Sequence, residues 1–465
     1  MATGIILCFI LGYLTIVFEH PLKLDKTVPA LLMAALCWAL LALGFNTGTL
    51  SVIDFHDHVF SLNGLQHGAE GAHEMEEGFV STLLHHMGKT AEILVFLIGA
   101  MTIVEIIDLH RGFEVLKGYV KTRSKVKLLW IVGILGFFLS AIIDNLTATI
   151  VLVTLLRKLI KDPNERIWYA SLIVIAANAG GAWSPIGDVT TTMLWIGNRV
   201  SALGLIEYLV IPSIVCFAIP FLIASFLPAF KGELKPEEGD ATEINKLLSS
   251  TTMLYLGLGA IIFVPIFKTI THLPPYLGMM LSLGIVWLVS EYIHPEEDFS
   301  EERRHMFTGH KALSRIELSS ILFFLGILMA VAALESLVFG TVMKEGVAEQ
   351  VGTLRYLAET LDRVIPNQDV VIIILGFASA VIDNVPLVAA SMGMYEMPMD
   401  SKLWHFIAYS AGTGGSMLII GSAAGVAAMG MERIDFIWYL RKIAWLAFVG
   451  FIGGAGVFLL IESVF

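Results

Sequence analysis

Ser140-Ala141-Ile142-Ile143-Asp144-Asn145 is written a second time, with one conservative change, as Ser379-Ala380-Val381-Ile382-Asp383-Asn384. An Asp-Asn pair set in an apolar stretch is expensive if the surroundings are hydrocarbon: an aspartate at the centre of a membrane helix costs about 2.5–3.5 kcal/mol on insertion scales. Finding the pair twice points to an internal repeat, and the flanking sequence agrees. Thirty-five residues beyond the first pair and thirty beyond the second, Gly180-Gly181 followed by Gly187 matches Gly414-Gly415 followed by Gly421 with the same internal spacing. Upstream, Phe96-Leu97-Ile98-Gly99 aligns with Phe323-Phe324-Leu325-Gly326, which sets Asp108 opposite Glu335. Three matches in the same order are hard to produce by chance composition.

Composition says where the repeat resides. Of 465 residues, 56% are hydrophobic and only 15% charged, against about 25% charged in a soluble domain, and the mean hydropathy is +0.79. Apolar runs recur at the length needed to cross about 30 Å of hydrocarbon, not as the short alternating segments of a closed barrel. Spans are predicted near 4–18, 28–45, 90–108, 167–198, 204–228, 251–268, 275–293, 316–338, 403–431 and 437–461. The expected fold is an all-α polytopic membrane protein. It has two inverted repeats, each with five crossings including a broken helix, plus one re-entrant hairpin. The division follows: N-terminal spans and an outer loop over 1–89, then a first repeat core over 90–230 with hairpin 128–156 and broken helix 167–198. A linker at 231–250 leads to a second repeat over 251–465, with hairpin 369–395 and broken helix 403–431. The apolar start lacks a basic region and a small-residue cleavage site, so it reads as a first span, not a removed signal.

Charge placement argues for the hairpins. Segment 128–156 has Lys121, Arg123, Lys125 and Lys127 before it and Arg157, Lys158, Lys161 and Arg166 after it. A single crossing would leave one basic cluster outside, against the positive-inside rule; a hairpin that dips in and returns keeps both in the cytoplasm. With an odd number of crossings per half, the second hairpin opens to the opposite side, and Glu396, Asp400 and Lys402 after it form no basic cluster.

The chemistry lies in oxygen donors at membrane depth. Asp144 and Asp383 stand at the hairpin tips, and Asp188 closes Gly180-Gly181-Ala182-Trp183-Ser184-Pro185-Ile186-Gly187-Asp188, where glycines and a proline interrupt the helix ladder. Half-helix ends, freed carbonyls and carboxylates near mid-membrane are the parts of a cation site in an inverted-repeat transporter. Na⁺ is a hard cation suited to the carboxylates of Asp144, Asp188 and Asp383, the amide oxygens of Asn145 and Asn384, and the hydroxyls of Ser140, Ser379 and Thr147. Glu105 joins them as an acid in apolar surroundings. Desolvation favours the protonated carboxyl, so H⁺ and Na⁺ compete for one set of oxygens, the simplest basis for exchange. Plainer readings stand beside these. Asp-Asn pairs favour turns, Asp188 can cap a half-helix, Ser140 and Ser379 can bond back to their own helix, and Glu92, Glu105 and Glu335 can be solvated near span ends.

The two S-A-x-I-D-N phrases, the stretch Gly99–Asp108 and the segment Gly180–Asp188 resemble NhaD-type sodium/proton antiporters, part of an ion-transporter superfamily that also holds dicarboxylate and arsenite carriers. The resemblance runs from about Leu83 onward. It implies extrusion of Na⁺ and Li⁺ against H⁺ entry, favoured at alkaline pH, in a bacterial inner membrane or a plastid envelope. It also implies a homodimer in which scaffold spans hold the interface while the hairpin-bearing domain moves. By this resemblance Asp144, Asn145, Asp188, Asp383 and Asn384 carry ion binding, and Ser422 stands where Asp188 stands, making the site asymmetric.

Other functions fare worse. An anion carrier for dicarboxylate or arsenite wants helix N-termini and neutral donors, whereas both tips carry aspartate. An intramembrane aspartyl protease needs two carboxyls about 3 Å apart sharing a proton, not acids in hairpins on opposite sides. No Gly-x-x-x-x-Gly-Lys-Ser/Thr loop is present, so transport is gradient-driven and no cofactor is expected. The net charge of −12 lacks the basic stripes nucleic acid requires. Loop 46–89 gathers His56, His58, His67, His73, His85 and His86 with Asp54, Asp57, Glu70, Glu74, Glu76 and Glu77. It reads first as a solvated acidic loop, with a metal site or a pH sensor as sharper alternatives. Cys8, Cys37 and Cys216 sit in apolar spans as packing residues. Gly450-x-x-x-Gly454 fits a helix-packing motif and, weakly, a dimer seam.

Overall fold

A computed structural model describes residues 1–54, 56–63, 71–118, 120, 122–234, 247–295, 307–344 and 347–464. Helices dominate, as the apolar runs require: in hydrocarbon every backbone polar group must find its partner within the segment. Among the described residues seven are long and apolar enough to cross a membrane: Thr27–Asn46, Ala72–Leu109, Lys125–Ile143, Ala202–Ser225, Ser250–Thr271, Leu318–Ser336 and Ala444–Ser463. The protein is an integral membrane protein.

The chain forms two compact units, each assembled from separated segments. One comprises Met1–Leu94, Glu317–Val371 and Val385–Pro398. In it Thr27–Asn46 packs along Leu318–Ser336 and beside Ala2–Val17. Trp38 Nε1 donates to the Met329 carbonyl at 2.8 Å, and Thr27 Oγ1 to that of Ser319 at 3.1 Å. The other unit comprises Val95–Ile316, Ile372–Asn384 and Met399–Phe465. Its helices Lys125–Ile143 and Pro163–Gly181 start at one end and run side by side. Tyr169 Oη donates to the Lys125 carbonyl, Lys125 Nζ meets Glu165 at 2.7 Å, and Ser140 meets Ala177. Local signals fix the starts: Asp162 caps the second of these through the Asn164 N–H, with Pro163 in the first turn, where its missing donor costs nothing.

Several boundaries differ from the sequence reading. The span expected at 90–108 begins at Ala72, so the presumed loop 46–89 is helix from Ala72 onward. Of the residues singled out there, His67 and Glu70 lie outside the described residues, as do Lys121 and most of the 231–250 linker. Asp54 spends its carboxylate on the backbone N–H groups of His56 and His58, both at 2.8 Å, as a turn-forming acid does. Among the described residues no three His, Cys, Asp or Glu side chains gather as a metal site. The span placed at 316–338 ends at Ser336 and passes into an antiparallel pair, Val338–Lys344 with Val347–Gly352, rich in the β-branched residues that suit a pleated ribbon. The final span is interrupted at Ile443, between Phe436–Lys442 and Ala444–Val464. Cys8, Cys37 and Cys216 are free thiols.

Gly450-x-x-x-Gly454 has an internal use. A Cβ at Gly450 would strike the Cys216 carbonyl and Pro220, and one at Gly454 would strike Tyr409 and the Pro212 carbonyl. The motif seats Ala444–Val464 against Ala202–Ser225 of the same chain, which removes it as a seam between copies.

Candidate functional site

The site is built where the helices stop. Lys125–Ile143 ends at Asp144, and Asn145–Leu159 begins at once. The turn is made by a non-glycine residue at φ 83°, ψ 159°, a region that costs on the order of 1–3 kcal/mol unless the surroundings impose it. Thr147 supplies part of the restraint: its N–H donates to Asp144 Oδ1 and its hydroxyl to Oδ2, both at 2.8 Å. The second phrase behaves alike. Gln368–Ser379 ends before Asp383, and Asn384 opens the helix Asn384–Met394.

A second pair of breaks faces the first. Pro163–Gly181 stops and resumes as Val189–Ile196, capped by Asp188; Lys402–Gly414 stops and resumes as Ala423–Glu432, capped by Ser422. Glycine is required at these crossings: a Cβ on Gly180 would enter the Phe137 carbonyl, and one on Gly414 the Gly376 carbonyl. Ser140 donates to the Ala177 carbonyl at 2.6 Å and Ser379 to that of Ala411 at 2.7 Å. Both serines thus bond across to the neighbouring broken helix, not back to their own.

Asp188 is the centre of the arrangement. It is 2% exposed. Oδ1 accepts from the Thr190 N–H at 2.8 Å and its hydroxyl at 2.7 Å; Oδ2 accepts from Asn145 Nδ2 at 2.5 Å. Asn384 Nδ2 lies 3.4 and 3.3 Å from the two oxygens. One buried carboxylate therefore holds the asparagines of both Asp-Asn phrases. Asp144 and Asp383, both half-buried, are within electrostatic reach of Asp188.

The expected donors thus separate into groups. Asn145, Asp188 and Asn384 touch one another; Asp144 with Thr147, and Asp383, stand at the adjoining tips; Ser140 and Ser379 brace the crossings. Glu105 lies in a different group, 3.5 Å from Arg315 Nε, with Asp108 on the same guanidinium at 3.3 Å. Sequence reasoning missed Asn178. Its Oδ1 accepts from Asn145 Nδ2 at 3.1 Å, and its Nδ2 donates to Ser416 and Ser422 Oγ, each at 2.9 Å. Its place two residues before Gly180-Gly181 is its one mark in the sequence, and it has no counterpart in the second phrase, where Gly412 stands.

Comparisons bear on this geometry. A family profile described as citrate transporter (CitMHS) matches residues 13–414. Sodium/proton antiporter 1 of Arabidopsis thaliana is 42% identical over 98% of this chain and 72% of its own length. The chain belongs to the CitMHS family and is of the NhaD antiporter type. Sodium/proton antiporter 2 of the same plant is 39% identical over 98% of this NhaD-type chain and 99% of its own. The Na(+)/H(+) antiporter NhaD of Halomonas elongata is 30% identical over 98% and 87%. The fold is shared with the YdaH transporter of Alcanivorax borkumensis, at TM-score 0.56 and 14% identity over 95% of this chain and 98% of that one.

Proposed function

We propose that this NhaD-type chain exchanges Na⁺, and Li⁺ with it, for H⁺ across a membrane, at the oxygens gathered around Asp188. The observation that carries the reading is the meeting of Asn145 and Asn384 on one buried carboxylate, with Asp144 and Asp383 beside it. Na⁺ prefers hard oxygen ligands, and these residues supply carboxylates and amides. In the arrangement seen, amide N–H groups compensate the carboxylate; rotating either amide presents its Oδ1 to a cation instead. A proton on a carboxyl and a cation among the same oxygens exclude each other, which makes binding an exchange. Similarity to relatives named sodium/proton antiporters supports the same ions.

The Lys125–Glu165 and Tyr169–Lys125 contacts support reading 128–156 as a re-entrant hairpin, since the chain enters and leaves at one end. Two inverted repeats, a homodimer and a bacterial inner membrane complete the proposal. The citrate transporter description of the matched family favours a polyanion as a second reading. Three acidic side chains would repel one, so Na⁺ is preferred. The test is Na⁺-induced collapse of ΔpH in everted vesicles, comparing wild type with Asp144→Asn, Asp188→Asn and Asp383→Asn. Asp188→Asn is expected to abolish exchange. Full activity in all three variants moves the site elsewhere; a response to citrate and none to Na⁺ or Li⁺ overturns the cation reading.

A further inference from the structure

The two halves present the same crossings but different side chains between them. Asp188 caps the resumed half-helix of the first break and Ser422 that of the second. The spacing that pairs Gly180-Gly181 with Gly414-Gly415 pairs Asn178 with Gly412 and Ala182 with Ser416. Beside Ser422, Asn178 is wholly buried and spends both amide hydrogens on Ser416 and Ser422. The mirror position is bare. Apart from its own helix, a Cβ on Gly412 would meet only Ala182, at 3.3 and 3.6 Å.

From this asymmetry we infer that the chain has one cation seat, beside Asp188, and that Asn178 is the positioning residue that fills its pseudo-equivalent beside Ser422. The inference rests on the exchange reading above and deepens it. At the Asp188 side a full negative charge meets amides from both Asp-Asn phrases; the facing helix offers Gly412 where the other side has Asn178, and Asp188's own break offers Ala182 where the other has Ser416. At the Ser422 side the charge is replaced by a hydroxyl, and that hydroxyl is already an acceptor for Asn178. A desolvated Na⁺ there would find a neutral pocket filled by an amide whose hydrogens point at the available oxygens. Asn178 also reaches the other side: its Oδ1 holds Asn145 Nδ2, so the plug of one pocket orients a ligand of the seat in the other. Serine hydroxyls donate as readily as they accept. If Asn145 turns its oxygen to an arriving cation, Asn178 can turn in step and take its new hydrogen bonds from Ser416 and Ser422.

Equilibrium binding of radioactive sodium to the purified full chain at alkaline pH tests this by counting. Wild type is expected to saturate at one Na⁺ per chain, and Asn178→Gly combined with Ser422→Asp, which copies the Asp188 side onto the other, at two. Ser422→Ala provides a milder check that does not depend on the double variant folding: it removes one of the two serine partners of Asn178, so stoichiometry stays at one while Kd weakens by no more than about tenfold, the worth of one hydrogen bond. Saturation of wild type at two ions overturns the single seat while leaving Na⁺/H⁺ exchange standing. Loss of the one ion in Ser422→Ala places the seat on the wrong side and overturns it too. Absence of saturable binding in protein that also collapses no ΔpH removes the exchange reading itself.

Discussion

Glu432 ends the helix Ala423–Glu432 with its side chain fully buried, between Arg157 Nε at 2.7 Å and Arg166 Nε at 2.5 Å. Arg157 also donates to the Met431 carbonyl. The clamp ties the end of Asn145–Leu159 and the start of Pro163–Gly181 to the far end of the second break. Glu432→Gln keeps the shape and removes the charge. A hydrogen bond to a charged group contributes about 1.5–3 kcal/mol, and breaking a buried pair by removing one partner costs about 3–5 kcal/mol. The two arginines do not share that cost equally. Arg157 is 45% exposed and recovers water, so its part falls to the 1 kcal/mol or so of a surface pair. Arg166 is 14% exposed, with the Ile160 carbonyl at 2.8 Å as partial compensation. The loss in Glu432→Gln is thus about 3 kcal/mol, carried mainly by Arg166. Thermal unfolding of the purified protein, followed by tryptophan fluorescence, is expected to rank wild type above Arg157→Gln, and Arg157→Gln above Arg166→Gln and Glu432→Gln. Adding Arg166→Gln to Glu432→Gln lowers the midpoint little further, because the pair is already broken. An Arg157→Gln midpoint below that of Arg166→Gln, or a fully additive double variant, refutes the reasoning.

Gly180→Ala and Gly414→Ala each drive a methyl into a backbone carbonyl, and both are expected to prevent recovery of monodisperse protein. Gly430→Ala, where a Cβ meets nothing within 4 Å, leaves yield and elution unchanged in size-exclusion chromatography. Ser140→Ala and Ser379→Ala each lose one buried bond to a neighbouring helix, about 1 kcal/mol of stability apiece, measurable as a lowered unfolding midpoint. His110 lies just past the helix Ala72–Leu109, between Ser249 Oγ at 2.8 Å and Ser290 Oγ at 2.9 Å, and burial pushes it down to about 4. The unfolded chain, with an ordinary histidine near 6.5, takes up the proton first. Stability is therefore fully present above about pH 6.5 and lost as pH falls toward 4. His110→Gln should flatten that part of the pH profile of the unfolding midpoint, and an unchanged profile counts against it.

The helix breaks were legible because their causes are local and chemical. Asp-Asn within Ile and Ala, and glycines flanking Ser184-Pro185, cannot continue a membrane helix without cost. Asp188, Asn145 and Asn384 were legible as polar residues at those breaks for the same reason, although only the fold could bring a residue of one phrase and a residue of the other to one carboxylate. Asn178 was not legible. A lone asparagine in a helix has an ordinary structural reading, and its importance comes from Ser416 and Ser422, more than two hundred residues away. Glu105 shows the opposite failure: its apolar neighbours in sequence concealed Arg315, which arrives from a distant segment. The helical start at Ala72 escaped for a different reason, since His, Glu and Gly in the first turns mask a helix whose apolar core begins later.

The matched crossings have a bearing on how such a chain tolerates change. Gly180 and Gly414 answer to the same steric demand, so a saturation survey of substitutions should show intolerance twice, at corresponding places in the two halves. The polar positions obey no such pairing: Asp188 faces Ser422 in the correspondence, and Asn178 faces Gly412. Ancestral duplication would leave that signature, with shape inherited by both copies and charge kept by one.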